Sequence, residues 1–303
     1  MPLFRRGSPL QQLVDDAYSA WDAQDWPVAA VALERLVDAA RAHDASREDL
    51  AGWSFDLALT HKFLRDWPAA RRHGLLAAEL AADGPGEPAW WNLGIAATAL
   101  HDWPTARRAW AAYGVDIAPG DGPIEGDYGT TPVRIRTADG QEVVWCRRLD
   151  PARAVIHSVP LPGSGRRWGE TVLHDGVPNG ERVTGGQTYP VFDEIELWAP
   201  SEVPVSSVEL RLSGDDDLVA LQDLGSAEGI EVEAWSTVVP LCAACSEGRV
   251  DHDRPHDHAP DQPGGSRCRV GVAASEEATE GLLRRWVEED PPRRGAGTPE
   301  VVA

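Results

Sequence analysis

Asp25-Trp26-Pro27, Asp66-Trp67-Pro68 and Asp102-Trp103-Pro104 are three copies of one tripeptide in the N-terminal part of the 303-residue chain. Each copy lies between two apolar stretches of helical period, so each marks a tight turn joining two helices. The residue types fit that role. An aspartate just ahead of a helix can accept the orphan N–H bonds of its first turn, and a proline there has no N–H to leave unpaired. Ala29, Ala70 and Ala106 follow at equivalent places and are small enough for the paired helices to approach closely. The pattern predicts three helix pairs over residues 10–118.

The third copy carries Trp90, Leu93, Gly94, Ala106, Trp110 and nearby Pro119 at the spacings of the tetratricopeptide repeat, which it resembles. The second keeps Leu57, Ala58, Ala70 and Ala77, with Gly74 where that family has an aromatic; the first keeps Ala17, Ala29 and Leu33. The tripeptides recur after 41 and 36 residues rather than the 34 of the family, so longer turns between pairs are expected around Ala42–Arg47 and Asp83–Pro88. The resemblance implies an α-solenoid whose first helices line a concave groove, placing Tyr18, Trp21, Phe55, Leu59, Lys62, Phe63, Trp91 and Ile95 on it. Such an apolar, aromatic groove suits a peptide or a helix of a partner protein. Lys62 is the only cation among these positions, so the basic clamp with which some relatives hold terminal carboxylates is not expected.

Beyond the turn-rich Gly120-Asp121-Gly122-Pro123, apolar residues alternate with period two at Val133–Arg136, Glu142–Arg148, Ala154–Val159, Glu170–Leu173 and Pro190–Leu197. Asp139-Gly140 is a hairpin signal, and Gly163–Gly165, Pro178–Gly180 and Gly185-Gly186 mark further turns. A small β-barrel or sandwich over 125–200 is expected. From Ser207 the order becomes strand, helix (Asp215–Gly225), strand (Glu231–Val239), polar loop, strand (Cys268–Ala273) and helix (Glu276–Glu288). This βαββα order over 205–290 predicts a ferredoxin-like split α/β unit short of one strand. Residues 291–303 read as a disordered tail. The fold class is therefore multi-domain α plus β and α/β. Stretches such as Trp145–Pro151, Val172–Gly176 and Leu241–Gly248 look like those of uncharacterised bacterial tetratricopeptide proteins, a resemblance that carries no activity.

Composition narrows the partners. The chain is 42% apolar and 25% charged, as soluble globular proteins are. A net charge of −21 argues against a nucleic-acid or anionic-membrane surface, since such partners need a basic footprint. Most of the acidity lies beyond residue 124; solubility is the simpler explanation and a basic partner the sharper alternative. Lys62 is the only lysine among 28 basic residues, a bias that fits a GC-rich, bacterial coding sequence. Arg5 and Arg6 are not followed by an apolar run of signal-peptide length, and no run reaches the length of a membrane span. Four cysteines are too few and too uneven for a secreted disulfide framework. A cytoplasmic protein of open oligomeric state is expected.

The sharpest chemical signal is Cys242-x-x-Cys245, followed by His252, His256, His258 and Cys268. Two thiolates from one knuckle plus two further N/S ligands make a tetrahedral zinc site, and residues 246–267 have almost no apolar side chain to order them otherwise. A structural zinc is expected, its completing pair open among these residues and the more distant Cys146. A solvated His-rich loop, a catalytic or sensing metal and a redox pair are the alternatives. His174-Asp175 could act as a general-base pair or ligand, but a strand-end role is the simpler reading; Glu194 and Glu196 share a strand face that solvation also explains. Gly163-Ser164-Gly165 lacks the context of a hydrolase nucleophile, and no phosphate-binding Gly-rich loop with lysine exists. Nothing compels an enzyme. The expected function is a protein-interaction module, with toxin immunity as a subtype suggested by the acidity; a metal-dependent enzyme or metal sensor is the alternative.

Overall fold

Asp25, Asp66 and Asp102 sit in nearly one backbone conformation, φ −81 to −83° and ψ 75 to 76°, and each carboxylate accepts the N–H three residues on, from Val28, Ala69 and Thr105. The computed structural model in which this is seen describes residues 10–81, 84–137, 140–235 and 267–302. Just ahead of each aspartate stands a left-handed residue, Gln24 (φ 55°), Arg65 (58°) and His101 (58°). The N–H of Asp25 reaches back to Ala20 O and that of Gln24 to Trp21 O; Asp66 with Arg65, and Asp102 with His101, repeat the pattern. This pair of bonds is the Schellman closure of a helix C-terminus. One motif thus ends a helix and caps the next, three times over.

The motif joins α1 (Gln11–Asp22) to α2 (Trp26–Ala42), α3 (Arg47–Phe63) to α4 (Trp67–Leu80), and α5 (Pro88–Ala99) to α6 (Trp103–Tyr113). Each helix packs on its predecessor and successor, and α3 also on α5. Ala29, Ala70 and Ala106 are buried where the paired helices meet. At Gly94 a Cβ would stand 2.6 Å from the ring of Trp110, so only glycine lets that fully buried indole lie against α5.

Contacts divide the chain at Glu125/Gly126 into two compact units. The second opens with β1 (Thr130–Thr137), β2 (Gly140–Arg148), β3 (Arg153–Ile156), β4 (Thr171–Thr184) and β5 (Gln187–Ala199). Neighbours pair antiparallel in chain order, and β1 pairs parallel with β5 at Val133↔Phe192 and Arg134↔Asp193, closing a barrel. Val133, Ile135, Val144, Cys146, Ala154, Ile156 and Val172 fill it, every second residue of their strands. The strand signal over Glu170–Leu173 falls far short of β4. Pro178–Gly180, which reads as a turn, lies within the strand, where the β4–β5 register shifts at His174, Pro178 and Glu181. These bulges absorb the proline and bend the ribbon. The turn itself is Gly185-Gly186, both at positive φ as a two-residue hairpin needs.

A second sheet follows from β6 (Val205–Arg211), β7 (Glu231–Ala234), β8 (Arg267–Ala273), β9 (Gly295–Ala296) and β10 (Glu300–Val301), in the order β10-β6-β8-β7 with β9 also on β6. Helices α7 (Asp215–Ala227) and α8 (Glu276–Glu289) follow β6 and β8, and Leu221, Leu282, Leu283 and Trp286 pack onto one face of the sheet. The expected disordered tail is corrected here: residues 295–301 contain two short strands, β9 and β10, both paired with β6. Backbone pairing with β6 fixes it, as does Arg294, which reaches Asp217 at 3.2 Å and Glu289 at 2.8 Å beside the Trp286 ring. Long-range pairing overrides a Pro/Gly-rich composition. The other sheet face meets the barrel. Trp235 fits over Gly271, where a Cβ would lie 2.3 Å from its ring, and its Nε1–H donates to Val159 O at 2.9 Å. Among the described residues no helix is long and apolar enough to cross a membrane.

Candidate functional site

On α3, Glu48, Gly52, Phe55 and Asp56 fall on one face at helical spacing, and they form one wall of a cleft of about 620 Å³. Ala77, Leu80 and Ala81 at the end of α4 and Glu87, Pro88 and Ala89 at the start of α5 line the rest. The floor is mostly apolar and the polar groups are mostly carboxylates. Arg47, at the rim, is committed elsewhere: its Nε and Nη2 donate to Leu80 O and Glu79 O, both at 2.9 Å, satisfying carbonyls at the end of α4. Glu87 caps α5 through Ala89 N–H at 3.3 Å.

Asp56 is mostly buried. The Tyr18 hydroxyl on α1 donates to its Oδ2. Burial raises the Asp56 pKa, which that hydrogen bond opposes, and burial together with Asp56 raises the pKa of Tyr18. Farther along, Lys62 Nζ donates to Asn92 Oδ1 at 2.9 Å. Side-chain hydrogen bonds thus tie α1 to α3 and α3 to α5, the first helices of successive pairs.

The residues expected on the groove divide accordingly. Phe55 lines the cleft, Tyr18 holds Asp56, and Leu59 is half-buried on the same helix. Trp21 and Phe63 instead gather around Trp26 at the first turn, with ring centroids 5.4 Å (Trp21–Trp26) and 4.5 Å (Trp26–Phe63) apart, and Phe63 is 42% exposed. Three expectations are corrected. Ile95 is 0% exposed and belongs to the core. Trp91 turns onto its own partner helix, 5.1 Å from Trp110 and 4.8 Å from Tyr113. Lys62 is buried by its bond to Asn92. The packing demand of large side chains between helices outweighs their place on a first helix. Glu48 and Asp56, eight residues apart on one helical face, were the legible signal for the acidic cleft.

Of the expected metal ligands, Cys242, Cys245, His252, His256 and His258 lie outside the described residues. Cys268 opens β8 buried in the apolar core under α7 and α8, with Val208, Leu210 and Leu283 in the same cluster. Cys146 is buried in the barrel, where its thiol pKa is raised by burial and by Glu194. Among the described residues no group of three or more His, Cys, Asp and Glu side chains is gathered for a metal ion.

His174 is 0% exposed on β4. Its Nδ1 bonds the backbone carbonyl of Asp175 at 2.8 Å, while the Asp175 carboxylate accepts from Gly176 N–H at 2.7 Å. Burial, helped by the Arg148 guanidinium, holds its pKa down to about 4. The imidazole is neutral, closed to solvent and oriented by a carbonyl, which is not the geometry of a carboxylate-assisted base. Glu194 pairs with Arg166 at 2.6 Å.

Two carboxylates were not anticipated. Glu142 on β2 accepts the Leu161 N–H at 3.1 Å, and Glu233 on β7 accepts the Val159 N–H at 2.7 Å. Together they grip the segment that joins β3 to β4, one from each sheet. Burial, with the charge of Glu233 adding, pushes Glu142 up to about 7.

No protein-family model and no curated protein matches this chain. The fold itself defines the class: a multi-domain α+β protein with an N-terminal helical region, then mixed sheets with two further helices.

Proposed function

We propose that the protein is an interaction module whose N-terminal helices form a tetratricopeptide-like solenoid and hold a peptide or protein segment in the cleft beside α3. One observation carries this reading: identical Asp-Trp-Pro turns stack three helix pairs so that their first helices adjoin, with an open cleft of about 620 Å³ on them. A repeating stack of this kind presents extended surface and little enclosed volume, which favours binding a chain over catalysis. The order β10-β6-β8-β7 with its two helices is read as a split β-α-β-β-α-β unit. A structural zinc on Cys242 and Cys245, completed by two of His252, His256, His258 and Cys268, belongs to the proposal on the strength of ligand spacing. A cytoplasmic, bacterial protein, with toxin immunity as one setting, is in keeping with the acidity.

The test is affinity capture from cells with the full-length protein, its Phe55→Ser variant and a Val219→Ser control, with partners identified by mass spectrometry. Phe55 lines the cleft, whereas Val219 is an exposed residue of α7. A partner held by the wild type and the control but lost by Phe55→Ser, with matching helical circular dichroism, supports the reading. Capture of the same partners by all three overturns it.

A further inference from the structure

The cleft beside α3 has a polarity opposite to that of a site for carboxylates. Among the described residues Glu48, Asp56 and Glu87 bring acidic groups to it, and the one cation lining it, Arg47, is spent on the carbonyls of Glu79 and Leu80. Asp56 decides what the cleft is for. It is set among Phe55, Gly52 and Ala89, it receives one hydrogen bond from the Tyr18 hydroxyl on Oδ2, and among the described residues no arginine or lysine pairs with it. A largely buried carboxylate lacking a counter-cation carries an uncompensated desolvation cost, and a positive charge arriving from outside removes it. The surrounding apolar wall suits the methylene stem of a long basic side chain, whose head would reach the carboxylate.

We propose that this cleft seats an arginine or lysine side chain of a bound peptide segment, its charged head on Asp56 and its stem along Phe55 and Leu80. The proposal rests on the interaction-module reading and gives it a chemistry: the partner segment is basic, drawn to the cleft by Glu48 and Glu87 and fixed there by Asp56. Tyr18 is a positioning residue, its hydroxyl reaching from α1 to fix the Asp56 carboxylate through Oδ2. Binding weakens as Asp56 takes up a proton, because a neutral carboxyl offers the cation no charge.

Nuclear magnetic resonance of the full-length protein at constant ionic strength tests this with two probes of matched shape, butylguanidinium and the neutral butylurea. The expected result is a saturable shift of the Gly52, Phe55, Asp56 and Ala89 amides with butylguanidinium alone. Asp56→Asn keeps an acceptor for Tyr18 and should weaken that binding about tenfold or more, the scale of a charge-assisted hydrogen bond. Glu48→Gln, on an exposed position, should weaken it less and guards against a fold defect in the first variant. Equal shifts with both probes, shifts scattered over the acidic surface, or unchanged affinity in Asp56→Asn would overturn the proposal. If the cation fails to bind while Phe55→Ser still loses its captured partner, the interaction module stands and only the basic chemistry falls.

Discussion

Glu142 shows how one buried carboxyl couples the barrel to the pH of its surroundings. The groups facing it are the Leu161 N–H and Glu233 across the clamp; Glu233 in turn attracts the Arg182 guanidinium, which lies over the Trp145 ring. Its folded pKa of about 7 lies above the ordinary glutamate value of about 4.5, so the folded state binds the proton more tightly than the unfolded chain does. The resulting stability is fully present below about pH 4.5 and is lost as the pH rises through about 7. Glu142→Gln keeps a carbonyl for Leu161 and cannot ionise. Its melting temperature should therefore exceed the wild type's at pH 8 and approach it at pH 4.5, measured by thermal circular dichroism. A gap of the same size at both pH values would refute the assignment. No sequence signal marks this residue, because its neighbour Glu233 is 91 positions away and only the packing of two sheets makes them meet.

At the level of the element, the Asp-Trp-Pro turn was legible because everything it needs is local: a left-handed residue, a cap and a proline within four positions. The period-two strands were legible for the same reason, Val133 with Ile135 and Val144 with Cys146 announcing their inward faces. The β4–β5 ribbon was not, since its bulges interrupt the alternation on which a strand is recognised. The cleft was half legible. The helical face holding it can be drawn from spacing alone, but whether Trp91 or Ile95 looks outward depends on what the neighbouring helix leaves unfilled. The turn also admits a direct test, best made at the first copy. Gln24 occupies a left-handed conformation that glycine adopts without steric cost, so Gln24→Gly should stabilise the helical unit by up to about 1 kcal/mol. Asp25→Ala removes the cap on α2 and should cost about 1 kcal/mol. Denaturant midpoints at constant slope would show opposite shifts; shifts of the same sign would contradict the geometry.

On the scale of the whole molecule, the C-terminal segment is part of the second unit's framework. Asp217, at the start of α7, receives the Ser213 N–H at 2.8 Å and meets Arg294 and Arg293, while Trp286 Nε1–H donates to its carbonyl. Ending the chain after Asp290 removes both arginines and opens the edge of β6, and exposed strand edges recruit other chains. The shortened protein should lower the denaturation midpoint of the second unit and aggregate on mild heating. Limited proteolysis with mass spectrometry should find early cuts around β6 and β8 while α1–α6 keep their protection. An unchanged cleavage pattern would mean that the tail strands add nothing to the sheet.

The barrel's closing seam bears on the order of assembly in time. Val133 meets Phe192 and Arg134 meets Asp193, each pair 59 positions apart in the chain, whereas every helix of the first unit finds its principal neighbour next in sequence. Contacts between distant positions demand that a long loop be closed before they repay it, so topology sets folding speed. The helical half consequently completes its structure early and the barrel late. During that interval the newly made chain is a finished helical unit tethered to an unfinished sheet, exposed to chaperones and proteases at one end only.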